Sequence, residues 1–312
     1  MNIVDKLITL NSKSDIVKLY PIGDTHIGAL NCAEGHIRRY VRYIARQKCQ
    51  TFWIGGGDYC DCITRNDLKR FDPRVLPDWM LEGTGATVRE RLTDIGRCER
   101  KRFLQHIEPI KDRCLGLIEG NHEDAFEKRT DTSMQLRLCE ALHVPNLTDV
   151  AFVRLRFRLA SGHGGISTVI VYIVHGSGGG TSDGAEAIKL AGLAKQVEGV
   201  DIVLRGHGHR VTPGEPVERT YVPRKGALPW ECYSRTTYTG NWGSWLKTYA
   251  RGNPTYPSKR NYPPRAFRGL EFKIQPFASI AVHKGKDRKL ASITQPIIEL
   301  TLTSYADAMT DD

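Results

Sequence analysis

No apolar stretch in the 312-residue sequence approaches the ~20 residues that a membrane-spanning helix requires, so no membrane association is expected. The opening residues Met1 to Leu10 carry Asp5 among their apolar positions and do not read as a secretory signal. The eight cysteines form no paired framework. Cys60 and Cys62 flank Asp61, but a single Cys-x-Cys lacks the second pair that a structural zinc site needs. Reduced thiols in a cytoplasmic protein are therefore the expectation. The glycine-rich stretch Gly176 to Gly180 has no Gly-Lys-Ser/Thr ending, which argues against a nucleoside-triphosphate loop. There is no internal repeat. What remains is 40% hydrophobic and 26% charged, a globular composition long enough to bury a core without covalent staples.

Positive charge is present and unevenly placed. The net charge is +10, and the stretch from Arg210 to Leu270 holds eleven Lys/Arg against Glu215, Glu218 and Glu231. About one fifth of the chain thus carries most of the excess, which predicts a localised anion-binding face.

Short apolar runs punctuate the first two thirds, and each ends in a polar cluster. Ile16 to Ile22 leads to Gly23-Asp24-Thr25-His26, and Thr51 to Ile54 leads through glycines to Asp58-Tyr59-Cys60-Asp61. Leu115 to Ile118 leads to Gly120-Asn121-His122-Glu123, Ile166 to Val174 to His175, and Val200 to Leu204 to Gly206-His207-Gly208-His209. Between the first two runs, Ile37, Tyr40, Val41, Ile44 and Ala45 have helical spacing, so a strand–helix–strand unit opens a layered α/β arrangement. Val88, Leu92 and Ile95 predict one helix over Thr87 to Gln105, a helical pair follows the tetrad to about His143, and Ala185 to Val197 predicts another helix. Ala151 to Leu159 alternates as a half-buried strand with Arg154, Arg156 and Arg158 on the polar face. After Arg210, prolines and aromatics crowd together. Strand-like alternation returns over Gly269 to Val282 and Leu290 to Leu302, predicting a second sheet, and the tail from Asp307 is expected to fray.

Polar side chains at the carboxyl ends of several strands are how an α/β fold usually builds a site. Asp, Asn and His together are a ligand set for paired divalent metals. Two such ions ~3.5–4 Å apart activate water and neutralise charge at phosphorus. Asp24 and Asp58 bring only two negative charges, so a doubly occupied site would remain positive toward an anionic ester. With no cysteine required, Mn2+ is the first expectation, and Fe, Zn, Co or Ni also suit the donors. An Asp-x-His pair or a lone histidine is weak evidence by itself, since a single His is more often a packing or surface residue. The ordered set after these strands is specific.

The order Asp24-x-His26, Gly57-Asp58-x-x-Asp61, Gly120-Asn121-His122-Glu123, His175-Gly176 and Gly206-His207-Gly208-His209 resembles the calcineurin-like metallophosphoesterase superfamily. The resemblance spans about Asp24 to His209. It implies an α/β fold of a two-sheet β-sandwich flanked by helices in four layers. It also implies two divalent metals at one edge, with Asp24, His26 and His209 on the first, Asn121, His175 and His207 on the second, and Asp58 bridging. A metal-bridging hydroxide would attack phosphorus, His122 would protonate the leaving oxygen, and Asp61 would orient His122. Glu123 is not a ligand in that pattern. Where phosphoprotein phosphatases of the superfamily carry a phosphate-gripping Arg, this chain has Cys62. The glycine-spaced final motif is closer to the repair-nuclease and phage-encoded branches.

The division implied is a catalytic core over 1–210, a basic, aromatic- and Pro-rich substrate-facing segment over 211–270, and C-terminal strands over 271–312 that complete the sandwich, within one domain overall. Aromatics interleaved with cations suit single-stranded nucleic acid. Lys247, Arg251, Lys259 and Arg260 are the candidate substrate contacts there, with Arg205 and Arg210 beside the last motif; Trp242, Trp245 and Tyr249 have the helical spacing of core residues. The leading expectation is a phosphodiesterase acting as a DNA or RNA nuclease, with nucleic acid as substrate and no obligate protein partner. The alternatives are a small-molecule phosphatase or a nucleotide pyrophosphatase or cyclic phosphodiesterase, and a non-catalytic binding module on the same scaffold.

Overall fold

The computed structural model describes residues 2–178, 182–221, 233–250, 252–253, 255–259, 261–284 and 289–303. The apolar runs before Asp24, Asp58, Asn121 and His207 are strands buried for most of their length on both faces, whereas the run before His175 buries Val169, Val171 and Ile173 and leaves the residues between them half-buried. Strand β1 (Asn2–Leu10) is followed by β2 (Val17–Ile22), helix α1 (Glu34–Ala45) and β3 (Gln50–Gly55). Three helices come next, α2 (Asp78–Leu81), α3 (Gly85–Thr93) and α4 (Ile95–Ile107), before β4 (Cys114–Leu117). Helices α5 (Asn121–Thr130) and α6 (Met134–Leu142) lead to β5 (Val150–Leu159), β6 (Ile166–Val174), α7 (Asp183–Gln196) and β7 (Ile202–Arg205). The remainder is β8 (Val211–Tyr221), β9 (Tyr233–Trp242), the single turn α8 (Tyr256–Lys259), β10 (Leu270–Lys284) and β11 (Lys289–Leu302).

Among the described residues these strands form two mixed sheets, ordered β1-β5-β6-β7-β9-β8 and β11-β10-β2-β3-β4. The sheets face each other across one core that includes Leu19, Ile54 and Leu115 from one side and Val153, Val171 and Leu204 from the other. The neighbouring residues Tyr20 and Trp53, and Leu117 past the positive-φ Gly116, point the opposite way, into a second core with Ile37 and Tyr40 of α1, Phe103 of α4 and Leu138 of α6. Helix α7 lies on the outer face of the first sheet, with Ala194 against Val203 and the ring of Tyr172. Helix, sheet, sheet, helix is the layer order. No helix among the described residues is long and apolar enough to cross a membrane.

Three elements differ from the expectations. The helix expected over Thr87 to Gln105 is two helices, because the Asp94 carboxylate accepts the Arg97 N–H at 3.0 Å and caps a new start. Strand β1 pairs in parallel with β5, placing Asp5 opposite Arg154. The Pro-rich stretch after Arg210 also opens with two strands, β8 and β9. β8 is the sheet's outer edge, and its register shifts between Gly214 and Val217, around Pro216. Edges and bulges are where a sheet tolerates a residue with no N–H. The expected tail beyond 303 lies outside the described residues.

Candidate metal centre

The strands that end in the motifs run parallel: β2, β3 and β4 in one sheet, β6, β7 and β9 in the other. Their carboxyl ends therefore meet at one edge of the sandwich. The turns there are tight. Asp24, His26, Asp58, His207 and His209 all have positive φ, between 46° and 61°. Left-handed backbone costs an L-residue on the order of 1 kcal/mol or more, so its concentration on the expected ligands marks a site that the fold holds under strain.

Two triads of donors result. In one, His209 Nε2 lies 3.4 Å and His26 Nε2 3.9 Å from Asp24 Oδ1, and the two ring nitrogens are 3.3 Å apart. In the other, Asn121 Oδ1 lies 3.1 Å from His175 Nε2 and 2.8 Å from His207 Nδ1. Asp58 Oδ2 stands between them, 3.2 Å from His175 Nε2 and 3.9 Å from His26 Nε2. Asp24, His26 and His209, and likewise Asp58, His175 and His207, are each compact enough to hold one ion. The expected ligands are thus brought together.

The donor chemistry fits a cation. His175 Nδ1 is 2.7 Å from the Gly56 carbonyl and must donate to it, which leaves a neutral ring's Nε2 lone pair facing the oxygens of Asp58 and Asn121. Only a proton or a metal ion resolves that clash. Burial opposes a charge on His175, yet Asp58 and Asp24 outweigh it and push its pKa up to about 10, so these carboxylates favour positive charge at the ring. Burial lowers the pKa of His26 and His207, keeping them neutral as ligands must be. Although burial works against it, the surrounding histidines hold Asp58 well below the usual carboxylate range.

Each carboxylate offers one oxygen because the other is occupied. The His122 N–H, at the start of α5, donates to Asp58 Oδ1 at 2.9 Å, where the helix terminus favours negative charge. Trp242 Nε1 donates to Asp24 Oδ2 at 2.6 Å, with the His207 N–H at 3.3 Å.

His122 and Asp61 meet, but not as expected. His122 Nδ1 donates to the Asp61 backbone carbonyl at 2.5 Å, and the Asp61 carboxylate is farther, at 3.7 Å. Burial lowers the His122 pKa, but Asp58 and Asp61 outweigh it and raise it. His122 also lies within ligand distance of His26 and Asp58.

Of the other expected contacts, Arg205 is 3% exposed, with its guanidinium on the Glu186 carboxylate and the Ser177 carbonyl. Arg210 is 7% exposed, whereas Lys247 and Lys259 are exposed. Arg251 and Arg260 lie outside the described residues. Trp242 ends a strand and Trp245 sits in a loop between Tyr40 and Phe267, while Tyr249 is 66% exposed, so the spacing of these three is not helical and Tyr249 is not core.

Two residues gain roles that the sequence did not suggest. Glu123 is fully buried, and its carboxylate accepts the backbone N–H groups of Asp58, Tyr59, Cys60 and Gly120 at 2.8 to 3.3 Å. It fixes the Asp58 turn without touching the donors. Arg70 is held by Asp67 through Nε at 2.5 Å, and its charge opposes protonation of His122. Arg70 follows Cys62 by eight residues, and only the path of the loop brings it back.

A two-sheet α/β sandwich carrying a candidate His/Asp metal-binding cluster at one edge is the class that fold and site define. No protein-family profile and no curated protein sequence matches the chain. Among solved structures it is similar to the NAD nucleotidase (NadN) of Haemophilus influenzae, with 11% identity and a TM-score of 0.38. The match covers 89% of this chain and 54% of the nucleotidase.

Proposed function

We propose that the chain is a metal-dependent phosphoesterase that hydrolyses phosphodiester bonds. The observation that carries this is the position of Asp58 Oδ2 between two donor triads, one of them through the His175 contact at 3.2 Å. Asp24, His26 and His209 would hold one divalent ion and Asn121, His175 and His207 the other, with Asp58 shared; Mn2+ suits these donors. Bound there, the ions supply Lewis-acid charge to a phosphoryl oxygen and make water nucleophilic near neutral pH.

The chain's own groups do the rest. The Asp61 carbonyl fixes His122 through Nδ1, so the proton that His122 can give stands on Nε2. Once protonated, the ring would give that proton to a leaving alkoxide. The N-terminus of α5 and Glu123 hold Asp58 in its strained turn so that the reacting geometry is set in advance.

A polynucleotide substrate is supported by the exposure of Lys247, Tyr249 and Lys259 within one short stretch of the sequence. A small phosphoester is the second reading, favoured by the pocket that adjoins His209 and is lined by Arg210, Tyr262, Arg265 and Phe267. The test is hydrolysis of bis-p-nitrophenyl phosphate by metal-free protein with and without Mn2+. Activity should appear only with the ion; full activity at a verified absence of metal would overturn the proposal. A labelled oligonucleotide in the same assay separates the two substrate readings.

A further inference from the structure

Trp242 is the last residue of β9, and its indole is 2% exposed at the point where the two sheets come together beneath the donors. Its neighbours there are Gly23 after β2, Gly56 after β3 and Gly206 after β7. A Cβ on any of the three would collide with the indole, so glycine is what leaves room for the ring. The strand ends of both sheets thus close around one side chain.

The ring's single polar atom is spent on Asp24. Every polar atom of that residue except one has a partner: its N–H donates to the Gly57 carbonyl at 2.8 Å, its carbonyl accepts from Trp245 N–H at 3.0 Å and Ser244 Oγ at 3.2 Å, and Oδ2 accepts from Trp242 Nε1 and His207 N–H. Oδ1 makes no hydrogen bond of ordinary geometry with a described residue and is buried beside His209 and His26. A carboxylate with one oxygen tied cannot rotate to offer the other, and it pays little further entropy when Oδ1 takes a ligand. The same indole, in a dry position, keeps water from competing for Oδ2.

We infer that Trp242 is a positioning residue for metal binding: its indole N–H selects Asp24 Oδ1 as the ligand atom of the Asp24, His26 and His209 triad and raises that triad's affinity for a divalent cation. This rests on the phosphoesterase reading. It goes beyond it by assigning a determinant of metal affinity to a side chain that coordinates nothing. Removing a partner that orients a metal ligand typically costs about 10–100-fold in affinity. The other triad should be spared, because Trp242 donates to none of Asn121, His175 and His207.

The experiment titrates Mn2+ into the full-length metal-free protein by calorimetry, alongside melting of the metal-free state. Trp242→Phe removes the donor and some volume. Trp242→benzothienylalanine keeps the indole's shape with sulfur in place of the N–H, so it stands if the Phe variant misfolds. The parent protein should bind two ions, and each variant should weaken one step about 10–100-fold and leave the other within a few-fold. If both affinities are unchanged while the metal-free protein melts lower, the ring is only packing and the inference falls. Equal weakening of both steps overturns the assignment to Asp24. A parent protein that binds no Mn2+ removes the phosphoesterase reading and this inference with it, whereas a binding parent with unaffected variants removes the inference alone.

Discussion

His175 Nε2 lies 3.2 Å from Asp58 Oδ2 while its Nδ1 donates to the Gly56 carbonyl, so the ring is oriented from behind and presents its remaining nitrogen to a carboxylate oxygen. A salt bridge would satisfy that geometry in the metal-free protein, and a divalent ion would displace the proton. Metal binding at this triad should therefore release protons. Titrations of Mn2+ in buffers of different ionisation enthalpy should give different apparent heats, and identical heats would show that His175 is already neutral.

Asp58→Asn and His122→Asn should fail differently. The first removes the oxygen shared by both triads and should lower the number of ions retained. The second should keep both ions and lose about 10²–10⁴-fold in rate, the span of a positioned general acid. The loss should shrink for esters with good leaving groups. Metal analysis beside rate measurements decides this, and equal metal loss in the two variants would make His122 a ligand.

Glu123→Gln keeps the shape but turns an NH2 toward backbone N–H groups that now converge on a carboxylate. Leaving buried donors unsatisfied costs about 1–3 kcal/mol, which thermal melting of the metal-free protein should reveal. Metal affinity should fall as well, since the Asp58 turn loses its anchor.

The Arg205 assignment has its own check. Glu186→Gln leaves a buried guanidinium without its counter-charge, a loss of about 3–5 kcal/mol when one partner of a buried pair is removed. Stability should drop while KM for a small diester stays near the parent value. A raised KM with unchanged stability would return Arg205 to the substrate.

Acid sensitivity should show at a clasp that includes none of the metal donors. Glu34, at the start of α1, accepts from His106 at 2.7 Å, Arg102 at 2.8 Å and Trp79 at 2.8 Å. Burial would raise its pKa, but His106 and Arg102 prevail and lower it to about 2. A depressed folded-state pKa gives stability that is complete above the unfolded value near 4.5 and is lost as pH falls toward about 2. The melting difference between parent protein and Glu34→Gln should be constant above pH ~5 and should shrink below it.

The donors were legible because each lies just past a short apolar strand, where the change from Ile or Leu to Gly-Asp or Gly-His is a local signal. Their partners were not. Trp242 reaches Asp24 from 218 residues away, and nothing in its spacing announces a carboxylate partner. Pro213 and Pro216 disguised β8, since a proline argues against a strand unless the strand is an edge, and edge status is a property of the assembled sheet. Asp5 disguised β1 for a related reason: its partner Arg154 stands on a strand almost half the chain away.

The order in which the chain supplies its parts differs from the order in which the site needs them. His209 is the last donor, yet β9 with Trp242 comes after it, and β10, which pairs with β2 and flanks the Asp24 strand, comes later still. During synthesis the complete set of donors would leave the ribosome before either sheet could close. A nascent chain stopped near residue 210 would own every donor and hold none of them in place, so cation capture should begin only once the strands beyond Leu270 are free to pair.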